Sequence, residues 1–391
     1  MKNLNPFRNY YNNSNYIPYG RQNITRGDIR AVVEVLKSEF LTQGNLLKDF
    51  EKGISEKVNS KYAIAVNSAT SALHIACLAL GLKKGDYLWT SPITFVASAN
   101  CVESTGAKVE FVDINRYNFT IDIPSLEKKL KSNKKIKGII AVDYAGHPCD
   151  WKSLRKLANK YKVTLINDNC HAMGSKYFQD SKYAIKYADV VTHSYHAVKS
   201  ITSGEGGSIL TNQKKLHKKF LNIRSHSMNK NSKKASWFYS INEVGFNYRL
   251  SDIQCALGIS QLKKLDRFIY KRRKIAELYR KLLKNDKRFI LPYEDKNVYH
   301  SYHLFPLQIN FNFSKITKKS LFNKMMKSGF RLQVHYIPIH LQPYYKKKYK
   351  FKRKDFINSE KFYENVLSLP LYPSLNFKDV KKVVKVLKKL I

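Results

Sequence analysis

The sequence predicts an α/β protein: a large domain on a mostly parallel central sheet, followed by a smaller C-terminal α+β domain. Three observations carry this. Short apolar runs alternate with helical patterns from residue 60 onward; one long helical stretch ends the alternation near residue 251; and mixed strand-like and helical segments follow. Strands and helices of these lengths in alternation imply right-handed βαβ units and a sheet covered on both faces.

Taken in order, "TRGDIRAVVEVLKSE" reads as a helix with Thr25 as N-cap and Asp28 at the third helical position. The alternation then runs "YAIAVN", "TSALHIACLALGL"; "YLWTSP", "FVASANCVEST"; "KVEFVD", "IPSLEKKLKS"; "GIIAVDYA", "DWKSLRKLANKY"; and "VTLIND". Residues 251–284 read as one long helical stretch, with no Gly or Pro after Gly258. The domain change is placed there, giving a large domain of residues 1–255 and a unit of residues 256–391 that starts with the connecting helix. "HLFPLQINF" and "RLQVHYIPI" are strand-like. The closing "NFKDVKKVVKVLKKLI" sets Phe377, Val380, Val383, Val384 and Leu387 on one helical face, as expected of a helix capping a small domain.

With 391 residues the chain can bury a large core. No apolar run approaches the ~18 residues that cross a bilayer. The polar start "MKNLNPFRNYYNNSNYIPYG" lacks the apolar core of a secretory signal. Five cysteines at wide spacings form no C-x-x-C pair, so neither a disulfide framework nor a metal site is expected. A soluble, cytoplasmic protein is the expectation.

The formal net charge of +42, from 71 basic and 29 acidic residues, raises nucleic acid as a partner. The densest run, "KKKYKFKRK" at residues 346–354, interleaves Tyr349 and Phe351 with cations, as single-strand binders do. Lysine is spread over the whole chain, however, and no RNP motif, zinc finger or helix-turn-helix accompanies the run. Scattered surface charge is therefore the expectation, not a nucleic-acid site.

Ligands of open parallel sheets sit at the carboxyl ends of the strands. After "YAIAV" comes "NSATSA", a run of small residues opening a helix whose free N–H groups suit a phosphate. After "YLWT" comes Phe95; after "VTLIN" comes Asp168, with His171 three residues on; after "ADVVTH" come Ser194 and Lys199. A lysine for a Schiff base, an acid for a pyridine nitrogen, an aromatic face and a phosphate cradle are together the needs of pyridoxal phosphate.

These residues sit in motifs that resemble the DegT/DnrJ/EryC1/StrS family of sugar aminotransferases. The resemblance runs from "YGRQNITRGDIRAVVEVLKSEFLTQG" to "LSLPLYPSL" and implies the fold-type I, aspartate aminotransferase-like architecture. "SPITFVASAN", "VDYAGH", "HAVKSITSGEGG", "GFNYRLSDIQCALGISQLKK" and "VHYIPIHLQPYY" look most like the pseudaminic acid branch of the family. That branch aminates a UDP-linked 4-keto-6-deoxy-N-acetyl-L-hexosamine with L-glutamate. A different nucleotide-linked 4-keto sugar is the alternative substrate, and an inactive, regulatory nucleic-acid binder of the same fold is the alternative from another class.

The resemblance implies that Lys199 bonds the cofactor and shuttles a proton to the sugar C4. It implies that Asp168 holds the pyridinium proton, that His171 lies near the phenolic oxygen and that Phe95 stacks on the ring. Ala69, Thr70 and Ser194 would hold the phosphate, joined by Asn247 from a neighbouring subunit, so that a homodimer shares its active sites. Tyr19, Glu39, Phe40, Leu41 and Thr42, with Val334, His335, Tyr336 and Ile337, would contact substrate. Arg224 and Arg249 are candidates for the UDP pyrophosphate or for interface pairing. The chain departs from the family pattern at Ser227, usually Gly; at the His193 position, usually aromatic; and at Asn167, often Glu. Family members with His at the lysine position are dehydratases, so Lys199 implies transamination.

Overall fold

The computed structural model describes residues 16–131, 136–230 and 234–391. Most of the N-terminal stretch read for a signal, residues 1–15, lies outside that range, as does Ser132 at the end of "IPSLEKKLKS".

A seven-stranded sheet is formed by β1 (Tyr62–Val66), β2 (Tyr87–Thr90), β3 (Lys108–Phe111), β4 (Ile136–Val142), β5 (Thr164–Asp168), β6 (Val190–Ser194) and β7 (Gly207–Thr211). The spatial order is β1-β7-β6-β5-β4-β2-β3. Only β7 runs against the rest, antiparallel to both β1 and β6. Parallel strands buried on both faces need apolar residues at every position, and β4 shows why. Ile139 and Ala141 pack into the core on one face, while Ile140 and Val142 pack into the core on the other. The first face is covered by helices Asn45–Val58, Ile123–Leu130 and Trp151–Tyr161, and the second by Ala69–Ala79, Ala97–Glu103 and Lys214–Arg224.

A third core lies between a three-stranded antiparallel sheet (Phe289–Ile290, Phe305–Ile309, Val366–Leu369) and helices Leu265–Leu283, Lys318–Lys327 and Phe377–Leu390. In the last helix Val380, Val383, Val384 and Leu387 are buried as expected, but Phe377 is half exposed. Its apolar stripe is thus spent on this core. Among the described residues no helix is long and apolar enough to cross a membrane.

Two expectations need correction. The stretch at 251–284 is two helices, Asp252–Leu262 and Leu265–Leu283, broken at Lys263–Lys264. At the break, the Lys264 ammonium pairs with the fully buried Asp28, which also accepts from Ser260 Oγ at 2.7 Å and Gln261 Nε2 at 3.0 Å. Asp28 is the capping-box residue of helix Arg26–Leu36 with Thr25 as N-cap, so this network docks the first helix on the break. The second correction concerns "RLQVHYIPI", of which only the first residue, Arg331, lies in a strand, Phe330–Arg331. Beyond one bridge from Gln333 to Ser368, residues 334–337 leave the sheet, and the His335–Tyr336 peptide is cis.

Candidate active site

At the carboxyl edge of the sheet lies a cavity of about 710 Å³, inside the ~300–1,000 Å³ span of small-molecule sites. It is lined by Ala69, Thr70, Phe95, Asp168, His171, Ser194 and Lys199, together with Tyr19 and residues Val334 to Ile337.

One end is a helix start. Ser68 caps helix Ala69–Ala79 by accepting from Ser71 N–H at 3.1 Å, leaving the N–H groups of the first turn without intrahelical acceptors. Strand β7 passes so close that a Cβ on Gly207 would stand 2.5 Å from the Ala69 nitrogen. Only glycine permits that approach. The first turn and Ser194 therefore face the cavity together, a cradle suited to an anion.

Asp168 closes β5 with 5% exposure. Its two oxygens are separately engaged: Oδ2 accepts from Ser98 Oγ at 2.8 Å and Oδ1 from Cys170 N–H at 3.2 Å. Ser98 Oγ lies 2.9 Å from Thr94 Oγ1. Since Ser98 donates to the carboxylate, Thr94 donates to Ser98. Phe95, between them in sequence, keeps 56% of its surface exposed at the cavity, an apolar ring face free for a planar partner.

Lys199 is partly buried, and desolvation pulls its amine below the usual lysine range. Cys170 and Asp168 act in the opposite direction, while Arg272 adds to the depression. Burial first, then Lys199 and His335, hold His171 well below the usual imidazole value. Its Nδ1 accepts from Ala145 N–H at 3.2 Å, so the proton sits on Nε2, which donates to Tyr336 Oη at 3.1 Å. His303 stacks obliquely on it at 4.5 Å between ring centroids, with Nδ1 buried and unpartnered. His335, with Nδ1 2.8 Å from Ser368 Oγ, is pushed down by burial to about 3. The wall thus sets neutral imidazole and phenol around the Lys199 amine and the Asp168 carboxylate, with Glu205 also at the lining.

Several expected residues lie elsewhere. Glu39, Phe40, Leu41 and Thr42 are outside the cavity. Glu39 and Phe40 instead line a separate groove of about 640 Å³ between helices Arg26–Leu36 and Asp252–Leu262. Asn247 is exposed; it bridges to Ser225 and accepts from Asn67 Nδ2 at 3.4 Å, beneath the cradle rather than in it. Arg224 does not line the cavity and pairs within its own chain, donating to Glu51 Oε1 at 2.6 Å and the Ala65 carbonyl at 3.2 Å. Arg249 is partly exposed and does not line the cavity. Ser227 adopts φ 53°, the left-handed region that favours glycine, in keeping with the Gly usual in the family. The buried Asn167 amide and His193 Nε2 are both unpartnered.

Sequence reading missed Ser98, Thr94, His303 and Arg272. The first two sit inside "SPITFVASAN", where small residues at i and i+4 were the available signal. Nothing local marks Arg272.

The aromatic residues of the basic run at 346–354 are packed inward. Tyr349 hydrogen-bonds Glu103, and Phe351 stands edge-on to Phe111 at 5.3 Å. They form no stacking platform for bases.

The residues present fit pyridoxal phosphate: a cradle that a Cβ on Gly207 would close, a free aromatic face, a fixed carboxylate and a partly buried amine meet in one cavity. Residues 22–388 match the DegT/DnrJ/EryC1/StrS aminotransferase family. The UDP-4-amino-4,6-dideoxy-N-acetyl-beta-L-altrosamine transaminase of Campylobacter jejuni (serotype O:23/36, strain 81-176) is 40% identical over 368 residues, covering 94% of this chain and 95% of its own length. The structure of Helicobacter pylori PseC, described as an aminotransferase involved in the biosynthesis of pseudoaminic acid, superposes with a TM-score of 0.88. It is 34% identical and covers 96% of this chain and 99% of its own. The PLP-form of Streptococcus pneumoniae Spr1654, a sugar aminotransferase by its description, superposes with a TM-score of 0.87 at 26% identity, covering 96% of this chain and 100% of its own. The chain belongs to the DegT/DnrJ/EryC1/StrS aminotransferase family; it has the fold-type I architecture and is a sugar aminotransferase whose cofactor is pyridoxal 5′-phosphate.

Proposed function

From that membership we propose that the enzyme transfers the amino group of L-glutamate to a UDP-linked 4-keto-6-deoxy-N-acetyl-L-hexosamine. The product would be UDP-4-amino-4,6-dideoxy-N-acetyl-β-L-altrosamine, made in the cytoplasm for pseudaminic acid. Two observations support the substrate: the name of the Campylobacter relative and the pathway of the Helicobacter structure. The observation that carries the chemistry is the single cavity joining Lys199, Asp168, Phe95 and the Ala69–Thr70 cradle.

Bound there, pyridoxal phosphate supplies the electron sink that transamination needs. Ala69 and Thr70, through backbone N–H, and Ser194 hold its phosphate. Asp168, anchored by Ser98, holds a proton on the ring nitrogen, since a neighbouring carboxylate favours the charged form. Phe95 covers the ring. Nε2–H of His171, aligned by Ala145 and shared with Tyr336, points into the chamber and orients the phenolic side. Lys199 would bond the cofactor and would move the proton at the sugar C4. Its burial serves this, because a depressed amine is available as a base nearer neutral pH.

Tyr19, Val334, His335, Tyr336 and Ile337 contact the substrate from the small-domain side. Glu39 to Thr42 and Asn247, outside the cavity of one chain, act at the site of a second copy, making the enzyme a homodimer with shared active sites. The division at residues 255/256, within helix Asp252–Leu262, belongs to the same reading.

A coupled assay with glutamate and a panel of UDP-, dTDP- and GDP-linked 4-keto sugars tests the specificity. Good turnover of another sugar, with none of the L-arabino UDP 4-ketose, would overturn it. Mixing Lys199→Ala with Asn247→Asp chains tests the shared site. Regained activity is expected, because one composite site in a mixed dimer is intact.

A further inference from the structure

Behind the lysine loop, Arg272 of helix Leu265–Leu283 is buried to 1% exposure. Its guanidinium donates to the carbonyls of Leu371 at 2.9 Å, His303 at 3.2 Å, Val198 at 3.4 Å and Tyr302 at 3.5 Å. These carbonyls come from three separate segments. Val198 immediately precedes Lys199, His303 lines the cavity, and Leu371 donates its own N–H to the Tyr19 carbonyl at 2.9 Å. One side chain therefore ties the lysine loop to the two walls that carry His303 and Tyr19.

Among the described residues no carboxylate pairs with Arg272, and its Nε has no partner. A buried charge is normally paired, because desolvation is costly and carbonyl dipoles offset only part of it. Burial accordingly brings Arg272 down to about 10. Its charge also acts on Lys199, disfavouring the protonated amine.

We propose that Arg272 is a positioning residue for Lys199: it fixes the lysine loop against the walls bearing His303 and Tyr19, and it sets an unpaired positive charge behind the amine. The proposal rests on Lys199 being the cofactor-bonding lysine. Facing that amine, Asp168 and Cys170 favour its protonated form and Arg272 disfavours it. His171, His303 and His335 also face it, each kept neutral first of all by burial, and His196 and Glu205 line the same cavity.

The test uses full-length apoprotein with pyridoxal phosphate as the probe, following incorporation by absorbance across pH. The pH midpoint of the rate reports the free amine. Arg272→Gln should move that midpoint up, since a like charge has gone. Arg272→Lys should keep the wild-type midpoint but incorporate more slowly, by about tenfold, because an ammonium cannot span four carbonyls as a planar fork does. If both variants share the wild-type midpoint and rate, differing only in melting temperature, Arg272 is a core brace and the proposal falls. Should Arg272→Gln not fold, Arg272→Lys decides: slower incorporation at an unchanged midpoint supports the proposal, and the wild-type rate overturns it. Borohydride labelling separates the two levels. Label missing from the Lys199 peptide of the wild type sinks the lysine assignment, whereas label on Lys199 with an unmoved Arg272→Gln midpoint sinks only the role of Arg272.

Discussion

Ser98 Oγ stands 2.8 Å from Asp168 Oδ2 and donates to it, joining a helix of one βα unit to the end of a strand in another. A hydrogen bond to a charged group contributes about 1.5–3 kcal/mol, and losing it also frees the carboxylate to rotate. Ser98→Ala should therefore slow the half-reaction with glutamate by about tenfold or more, and Ser98→Thr should restore most of it. Single-turnover absorbance measures this. A wild-type rate in Ser98→Ala would show that Asp168 needs no such anchor.

Lys199→Ala should bind pyridoxal phosphate without a covalent bond and lose activity by at least ~10²–10⁴-fold, the usual worth of a positioned acid–base group. Borohydride reduction of the wild-type holoenzyme, followed by peptide mapping, should label Lys199 alone. Label on any other lysine would remove the basis of the mechanism.

Gly207 admits no side chain, because a Cβ would meet the Ala69 nitrogen at 2.5 Å and the Ser68 carbonyl carbon at 2.6 Å. Gly207→Ala must push β7 and the helix start apart, at about 1–3 kcal/mol for an overpacked site. Both the melting temperature and the affinity for pyridoxal phosphate should fall. Affinity that holds while stability drops would mean that the first turn of this helix does not carry the phosphate.

Stability should fall as pH drops below about 6.5, the ordinary histidine value. His171, His300 and His303 are held well below it, with His193 at about 4 and His335 at about 3, burial being the first cause in each case. The unfolded chain binds these protons and the folded one does not, so the stability present above 6.5 drains away as pH falls toward the folded values. The slope is about 1.4 kcal/mol per pH unit for each histidine. Asp143, raised by burial to about 6, and Glu51, also raised by burial, oppose the trend as two groups against several. Urea midpoints measured from pH 7.5 to 5 check this; a flat profile would mean that these imidazoles are charged in the native state.

The residues gathered at the cavity were legible because each lies at the end of its own strand or just beyond it. Asp168 ends β5, Ser194 ends β6 with Lys199 shortly beyond it, and Phe95 follows β2, so the rule that ligands gather at carboxyl ends was enough to collect them. The break at Lys263–Lys264 was not legible, because its cause is an ion pair with Asp28 more than 200 residues away in sequence. Arg224 shows the same limit. Sequence left it open between the UDP pyrophosphate and interface pairing, yet within the chain it pairs with Glu51, 173 positions earlier.

The sequence alone determined the α/β alternation, the parallel sheet and the set of groups at its edge, because periodicity and capping act within a few residues. Tertiary structure alone decided that Ser98 holds Asp168, that Arg272 clamps three distant segments, that Tyr349 and Phe351 pack against the core, and that residues 39–42 stand apart from the cavity. Those outcomes depend on which buried polar groups find partners across long loops, and no local pattern of side chains encodes that choice.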